Sequence, residues 1–230
     1  MPPPSRLAGR AATSLPREVS AVVFDCDGLL VDTEGRWTVA ETALFARHGL
    51  PYGPDEKATF VGLTVPDAAA VMAVRFDRVG EEEAIGQELR AGAREAIAEQ
   101  ADPMPGAVEI VALLTGRVPF AVASNSPRDL LDVALSRSGL ADKVQVTVAF
   151  DEVAHGKPAP DLYLRACELL DADVTRAVAF EDSPTGVASA RAAGMFVVGI
   201  PGHHDTLDAD LVLDSLADPE LVGWARGLTS

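Results

Sequence analysis

The stretch "VVFDCDGLLVDTE", Val22–Glu34, decides the fold. It begins as a buried strand does, with two valines and Phe24, and then places Asp25 and Asp27 one residue apart. Like charges that close repel, and each resists leaving water, so a strand that ends on them needs a reason to do so. The apolar run is continuous where a half-exposed strand would alternate, which suits a parallel sheet covered on both faces.

Five later runs share this character: "FAVASN" (120–125), "VQVTVAF" (144–150), "AVAFED" (177–182), "MFVVGI" (195–200) and "ADLVL" (209–213). Between them lie "SPRDLLDVALSRSGL" (126–140), "APDLYLRACELLD" (159–171) and "SPTGVASARAAGM" (183–195), with apolar residues at helical spacing. Strand and helix alternate, so the predicted class is α/β with right-handed crossovers. Residues 33–102 break the rhythm. They carry three helical stretches, "EGRWTVAETALFARHGL", "VPDAAAVMAVRFDRVG" and "EEEAIGQELRAGAREAIAEQ", and little strand signal. "DPMPG" (102–106) then marks a return to the main fold. The expected organisation is a flexible tail over 1–19, a core made of 20–32 and 103–230, and a helical cap over 33–102.

Composition narrows the partners. Over 230 residues, 19 Lys and Arg face 35 Asp and Glu, a formal net charge of −16. That balance argues against nucleic acid or an anionic membrane as partner, and requires local cations or a metal wherever an anion binds. Two cysteines, Cys26 and Cys167, are too few for a disulfide framework and fit a reducing compartment. The opening "MPPPSRLAGRAATSLPREVS" lacks the apolar run of a signal peptide. No apolar stretch approaches membrane-spanning length. The expectation is a cytoplasmic, monomeric protein.

In an open α/β sheet, ligands bind beyond the carboxyl ends of the strands. Asp25 and Asp27 fall there, as do Ser124 and Asn125, and Glu181 and Asp182; Lys157, in "GKPAPD", precedes a helix. Clustered carboxylates become tolerable around a divalent cation, and Mg²⁺ favours oxygen ligands. Each part alone has a plainer reading: a strand-end turn for the paired aspartates, a helix N-cap for Ser124, a surface position for Lys157. Their conjunction outweighs those readings. Cys26 reads as packing beneath the loop, and "HHD" (203–205) as a solvated turn.

With these motifs in this order, the chain after its tail resembles the haloacid dehalogenase superfamily, in the helical-cap subgroup that includes β-phosphoglucomutase-like sugar-phosphate phosphatases. The resemblance implies a Rossmann-like core and a Mg²⁺-dependent phosphomonoester hydrolase that forms an aspartyl-phosphate, with a small phosphorylated metabolite, a sugar phosphate above all, as substrate. It makes Asp25 the nucleophile and Asp27 the general acid/base. Ser124, the Asn125 backbone amide and Lys157 become the phosphate site. Asp25, the Asp27 carbonyl and Asp182 become metal ligands, with Glu181 direct or through water. In the cap, Trp37 stands where β-phosphoglucomutases carry a histidine, and "FVGLTVPD" (60–67) has Val61 and Val65 in place of basic residues. That favours hydrolysis of a monophosphate over a phosphosugar mutase; a non-catalytic phosphoacceptor module ranks below both. Trp37 and Thr64 are the candidates for substrate specificity, while Trp37 and Phe45 read more plainly as cap core.

Overall fold

The computed structural model describes residues 14–202 and 207–228. β1 (Val22–Phe24) is buried along its whole length. The chain then forms β2 (Val31–Asp32) and enters four helices: α1 (Glu34–Arg47), α2 (Pro54–Phe60), α3 (Val65–Arg75) and α4 (Glu82–Glu99). It returns through β3 (Asp102–Pro103), which pairs antiparallel with β2. The two passages between sheet and helical layer are thus zipped side by side. The rest runs α5 (Ala107–Leu114), β4 (Phe120–Ala123), α6 (Arg128–Arg137), β5 (Val146–Val148), α7 (Asp161–Leu169), β6 (Val178–Glu181), α8 (Pro184–Ala193), β7 (Phe196–Gly199), β8 (Leu211–Val212) and α9 (Pro219–Gly227).

Six strands form one parallel sheet in the order β5-β4-β1-β6-β7-β8. All six apolar runs contain a strand, and the α/β class holds. From β1 the chain builds outward through β4 and β5 on one side, then through β6, β7 and β8 on the other. The direction of winding reverses at β1, and such a switch point opens a crevice at the carboxyl end of the central strand. Asp25 follows β1 directly, its amide bonded to the Phe180 carbonyl at 3.0 Å.

The sheet is covered on both faces. Phe24 and Phe180 stack at 5.1 Å within one cluster, beside Ile110, Leu114 and Leu131. Val23, Ala121, Tyr163 and Val197 lie in the other. A fully buried side chain of this size contributes about 1.5–3 kcal/mol. The helical layer has its own core, in which Phe45 meets Tyr52, Phe60 and Phe76 edge-on. Leu130 of α6 closes that core from the sheet side.

The flexible tail expected over 1–19 needs correction at its end. Leu15 is buried against the sheet, and the Trp224 indole donates to the Pro16 carbonyl at 2.6 Å, so packing begins before residue 20. Residues 1–13 and the "HHD" turn lie outside the described residues. Among the described residues no helix is long and apolar enough to cross a membrane.

Candidate active site

The sheet edge gathers side chains from four segments distant in sequence. Lys157 is buried, and its Nζ donates to Asp25 Oδ1 and, at 2.6 Å, to Glu181 Oε1. Burial alone would draw the lysine's proton affinity down. The Asp25 and Glu181 carboxylates outweigh it, and hold the ammonium well above its ordinary range.

Glu181 has no exposed surface, and both its oxygens are engaged. Oε1 also accepts from the Tyr163 hydroxyl at 2.5 Å. Oε2 accepts from the Ser183 amide at 3.4 Å and its hydroxyl at 3.2 Å. The carboxylate lies over the first turn of α8, where a Cβ on Gly186 would sit 1.9 Å from it. Only glycine fits there. Ser183 caps that helix, its Oγ accepting from the Gly186 amide at 3.0 Å, and Pro184 opens it with the φ that a first turn requires.

Asp182 is its opposite. It is 4% exposed, and its carboxylate accepts no hydrogen bond among the described residues. Oxygens of Asp25, Glu181 and Asp182 lie within 4.8 Å of one another. Burial pushes Asp25 up to about 7, with Glu181 and Asp27 adding to the shift and Lys157 opposing it. Burial, then Asp25 and Glu181, raise Asp182 well above the carboxylate range. One lysine leaves this acidic cluster under-compensated, and the donors with capacity left are hard oxygens. The set fits a hard divalent cation such as Mg²⁺, which Asp25 and Asp182 could hold. Gly28 keeps the approach open: its φ is +84°, and a Cβ there would fall 2.4 Å from Asp182 Oδ2.

Asp27 is held by four donors. Oδ1 accepts from the Thr33 hydroxyl at 2.7 Å and the Trp37 indole at 3.5 Å; Oδ2 accepts from Ser124 at 2.8 Å and Ser126 at 2.9 Å. Ser124 is therefore no helix cap. α6 starts at Arg128 after Pro127, and the Ser124 hydroxyl instead accepts from the Ser126 amide at 2.9 Å and faces Asp27. The Asn125 side chain ties core to cap. Its Nδ2 donates to the Gly62 carbonyl at 3.0 Å, and its Oδ1 accepts from the Lys157 amide at 2.8 Å.

Trp37 and Thr64 both line the cavity under the cap, which measures about 90 Å³. The Thr64 hydroxyl is committed to α3, accepting from the Asp67 amide at 3.2 Å and donating to the Asp67 carboxylate at 2.6 Å. Trp37 is half-buried and its indole reaches Asp27, a contact that no sequence pattern announces. Thr33, Ser126, Tyr163 and Lys57 are further members unforeseen in sequence; a buried tyrosine on the apolar face of "DLYLRAC" was the one signal, since its hydroxyl needs a partner. Cys26 is buried beneath the loop, and burial raises its thiol, as suits a packing residue.

The carboxylate cluster sets a pH dependence. Between an unfolded aspartate near 3.8 and a folded Asp25 near 7, the metal-free folded state keeps protons that the unfolded chain has released. Stability in chelator therefore falls as pH rises through that window. We expect the melting temperature in EDTA to drop by roughly 5–10 °C between pH 5 and 8, on the scale of about 2–4 °C per kcal/mol for a chain of this size, and Mg²⁺ to restore much of it at pH 8. Differential scanning calorimetry at both pH values checks this; a flat profile unmoved by Mg²⁺ contradicts it.

The profile of the haloacid dehalogenase-like hydrolase family matches residues 19–194. The chain is 34% identical over 200 residues to the validoxylamine A 7'-phosphate phosphatase of Streptomyces hygroscopicus subsp. limoneus, covering 85% of this chain and 93% of that one. It is 33% identical over 225 residues to a probable pseudouridine-5'-phosphatase of Drosophila melanogaster, covering 92% and 97%. Among solved structures, CbbY from Rhodobacter sphaeroides in complex with phosphate aligns with a TM-score of 0.77 at 26% identity, covering 87% of this chain and 96% of that one. The chain belongs to the haloacid dehalogenase-like hydrolases, and within them to the phosphoric monoester hydrolases.

Proposed function

We propose that this enzyme hydrolyses the phosphomonoester of a small metabolite, a sugar phosphate in the first instance, through an aspartyl-phosphate on Asp25 with Mg²⁺ at the site. One observation carries the reading: a nucleophile-sized carboxylate, Asp25, lies between a buried lysine and an unpartnered Asp182, with Asp27 held by two serines close by. The named substrates of the two sequence relatives, both phosphates of small organic molecules, support the substrate class.

Asp25 attacks phosphorus, forming its O–P bond as the bond to the leaving oxygen breaks; splitting one displacement into two easier ones is the advantage of a covalent route. Asp27 gives the leaving oxygen its proton, then takes one from the water that attacks the aspartyl-phosphate and frees inorganic phosphate. Asp25, Asp182 and the Asp27 carbonyl are the groups that would hold Mg²⁺, which when bound would supply positive charge between nucleophile and ester. Lys157 supplies a fixed positive charge, and Glu181 with Tyr163 positions it. The Ser124 hydroxyl, bonded to Asp27 Oδ2 in the free enzyme, turns to a phosphate oxygen when substrate binds, which removes one of the two serine donors on that oxygen and leaves Ser126 to orient Asp27 for proton transfer.

A cavity of about 90 Å³ is small beside the roughly 300–1,000 Å³ of ordinary ligand clefts, so the cap must swing outward for substrate to enter. A mutase needs a cationic seat for a second phosphate. On the cap side of the cavity the one cation among the described residues, Lys57, lies 3.8 Å from Glu41, which favours hydrolysis.

The test is release of phosphate from a panel of sugar, polyol and nucleoside monophosphates with Mg²⁺, against a chelated control. Asp27→Asn should lower kcat by about 10²–10⁴-fold on esters with poor leaving groups and by less on p-nitrophenyl phosphate, whose leaving group needs no proton. Equal losses on both would remove Asp27 from the acid role.

A further inference from the structure

The cap wall of the cavity holds a charged pair that phosphate chemistry does not use. Glu41 on α1 is 4% exposed, an unusual position for a carboxylate in a helical layer whose core is otherwise apolar. Its Oε2 accepts from the Tyr52 hydroxyl and lies 3.8 Å from Lys57 Nζ on α2. Its Oε1 has no hydrogen-bond partner among the described residues. Lys57 donates to the Glu34 carbonyl at 3.2 Å and keeps further N–H donors, and its side chain is only 22% exposed. Both residues line the cavity beside Trp37, Phe60, Leu63 and Leu89. A buried acceptor without a partner is costly unless something else fills the place.

Resting on the phosphatase reading above, we propose that Glu41 and Lys57 bind two adjacent hydroxyl groups of the leaving group. One hydroxyl donates to Glu41 Oε1, and the oxygen of its neighbour accepts from Lys57. The apolar walls and Trp37 meet the C–H faces between them, an arrangement that fits a polyhydroxylated carbon skeleton. An anionic leaving group would meet Glu41, and a cationic one Lys57, so the pair selects neutral diols against both. Tyr52 is a positioning residue that fixes the Glu41 rotamer.

Binding measured apart from turnover separates this proposal from the phosphatase reading. In Asp25→Asn protein with Mg²⁺, titration calorimetry compares the tightest binder among hexose, pentose and hexitol monophosphates with phenyl phosphate, phosphoglycolate and phosphoethanolamine. The hydroxylated ester should bind best. Adding Lys57→Met or Glu41→Gln should weaken it at least tenfold relative to phenyl phosphate, and Lys57→Arg should restore part of the loss. Lys57 lies at the cavity rim on a short helix, so its variant keeps the test informative where Glu41→Gln unfolds. An unchanged ratio in folded Lys57→Met protein, or wild-type preference for phosphoglycolate or phosphoethanolamine, overturns the proposal. If the diol preference holds while wild-type protein with Mg²⁺ releases no phosphate from any ester of the panel, this inference stands and only the hydrolytic reading is defeated.

Discussion

Asp25→Asn yields a folded protein whose phosphate release is lower by on the order of 10⁴-fold or more, as for other enzymes deprived of their nucleophile. An amide keeps the shape of the carboxylate but attacks phosphorus poorly and is a weaker ligand for a hard cation. The fold survives because Lys157 retains Glu181 as its ion-pair partner at 2.6 Å, and because the substitution removes a carboxylate that burial already pushes up to about 7. Steady-state kinetics beside a thermal melt checks both halves. Near-wild-type release from a folded variant would remove Asp25 from the chemistry.

Lys157→Met should damage stability as well as rate. The ammonium is the shared partner of Asp25 and Glu181, with a side chain only 4% exposed. Methionine fills the space and leaves two buried carboxylates without their cation, a situation that costs about 3–5 kcal/mol. The loss depends on pH. At pH 8 both carboxylates are charged in the unfolded chain and must fold charged or take up protons. At pH 5 Asp25, whose folded proton affinity is raised, is readily neutral, and less is lost. Urea titrations of metal-free protein at the two pH values should therefore show the larger fall in midpoint at pH 8. Equal midpoints for variant and wild type would mean that the pair contributes nothing to the folded state.

The strands were legible in sequence because a parallel sheet buried on both faces leaves nearly unbroken apolar runs, as in "VVF", "FAVA" and "FVVG". Three helices, α2, α5 and α9, were not read from the sequence, the first two for opposite reasons. α5, "AVEIVALL", is apolar on almost every face, and its 3.6-residue period is drowned. α2, "PDEKATF", spans only seven residues, too few for a period to emerge, and it carries Lys57. The acids, Ser124 and Lys157 were legible as strand-end chemistry because backbone topology alone brings those ends together. Their division of labour was not. That Glu181 is saturated by Lys157, Tyr163 and Ser183 while Asp182 stands unpartnered depends on side-chain contacts across segments, as do the bonds from Ser124 and Ser126 to Asp27, 97 and 99 residues away in sequence. Ser126 in particular reads from sequence as part of a helix start, and only the close approach of β4 to β1 turns it toward Asp27.

The covalent step on Asp25 is the claim on which the rest depends, and it is open to direct capture. Wild-type enzyme turning over its best phosphomonoester with Mg²⁺ is quenched, reduced with borohydride and mapped by mass spectrometry, with Asp25→Asn protein treated in parallel. Reduction of an aspartyl-phosphate leaves homoserine, and the account predicts it at position 25, present only with substrate and absent from the variant. Homoserine at another aspartate, or none at position 25 in a sample quenched during steady turnover with a demonstrated pre-steady-state burst, would contradict it.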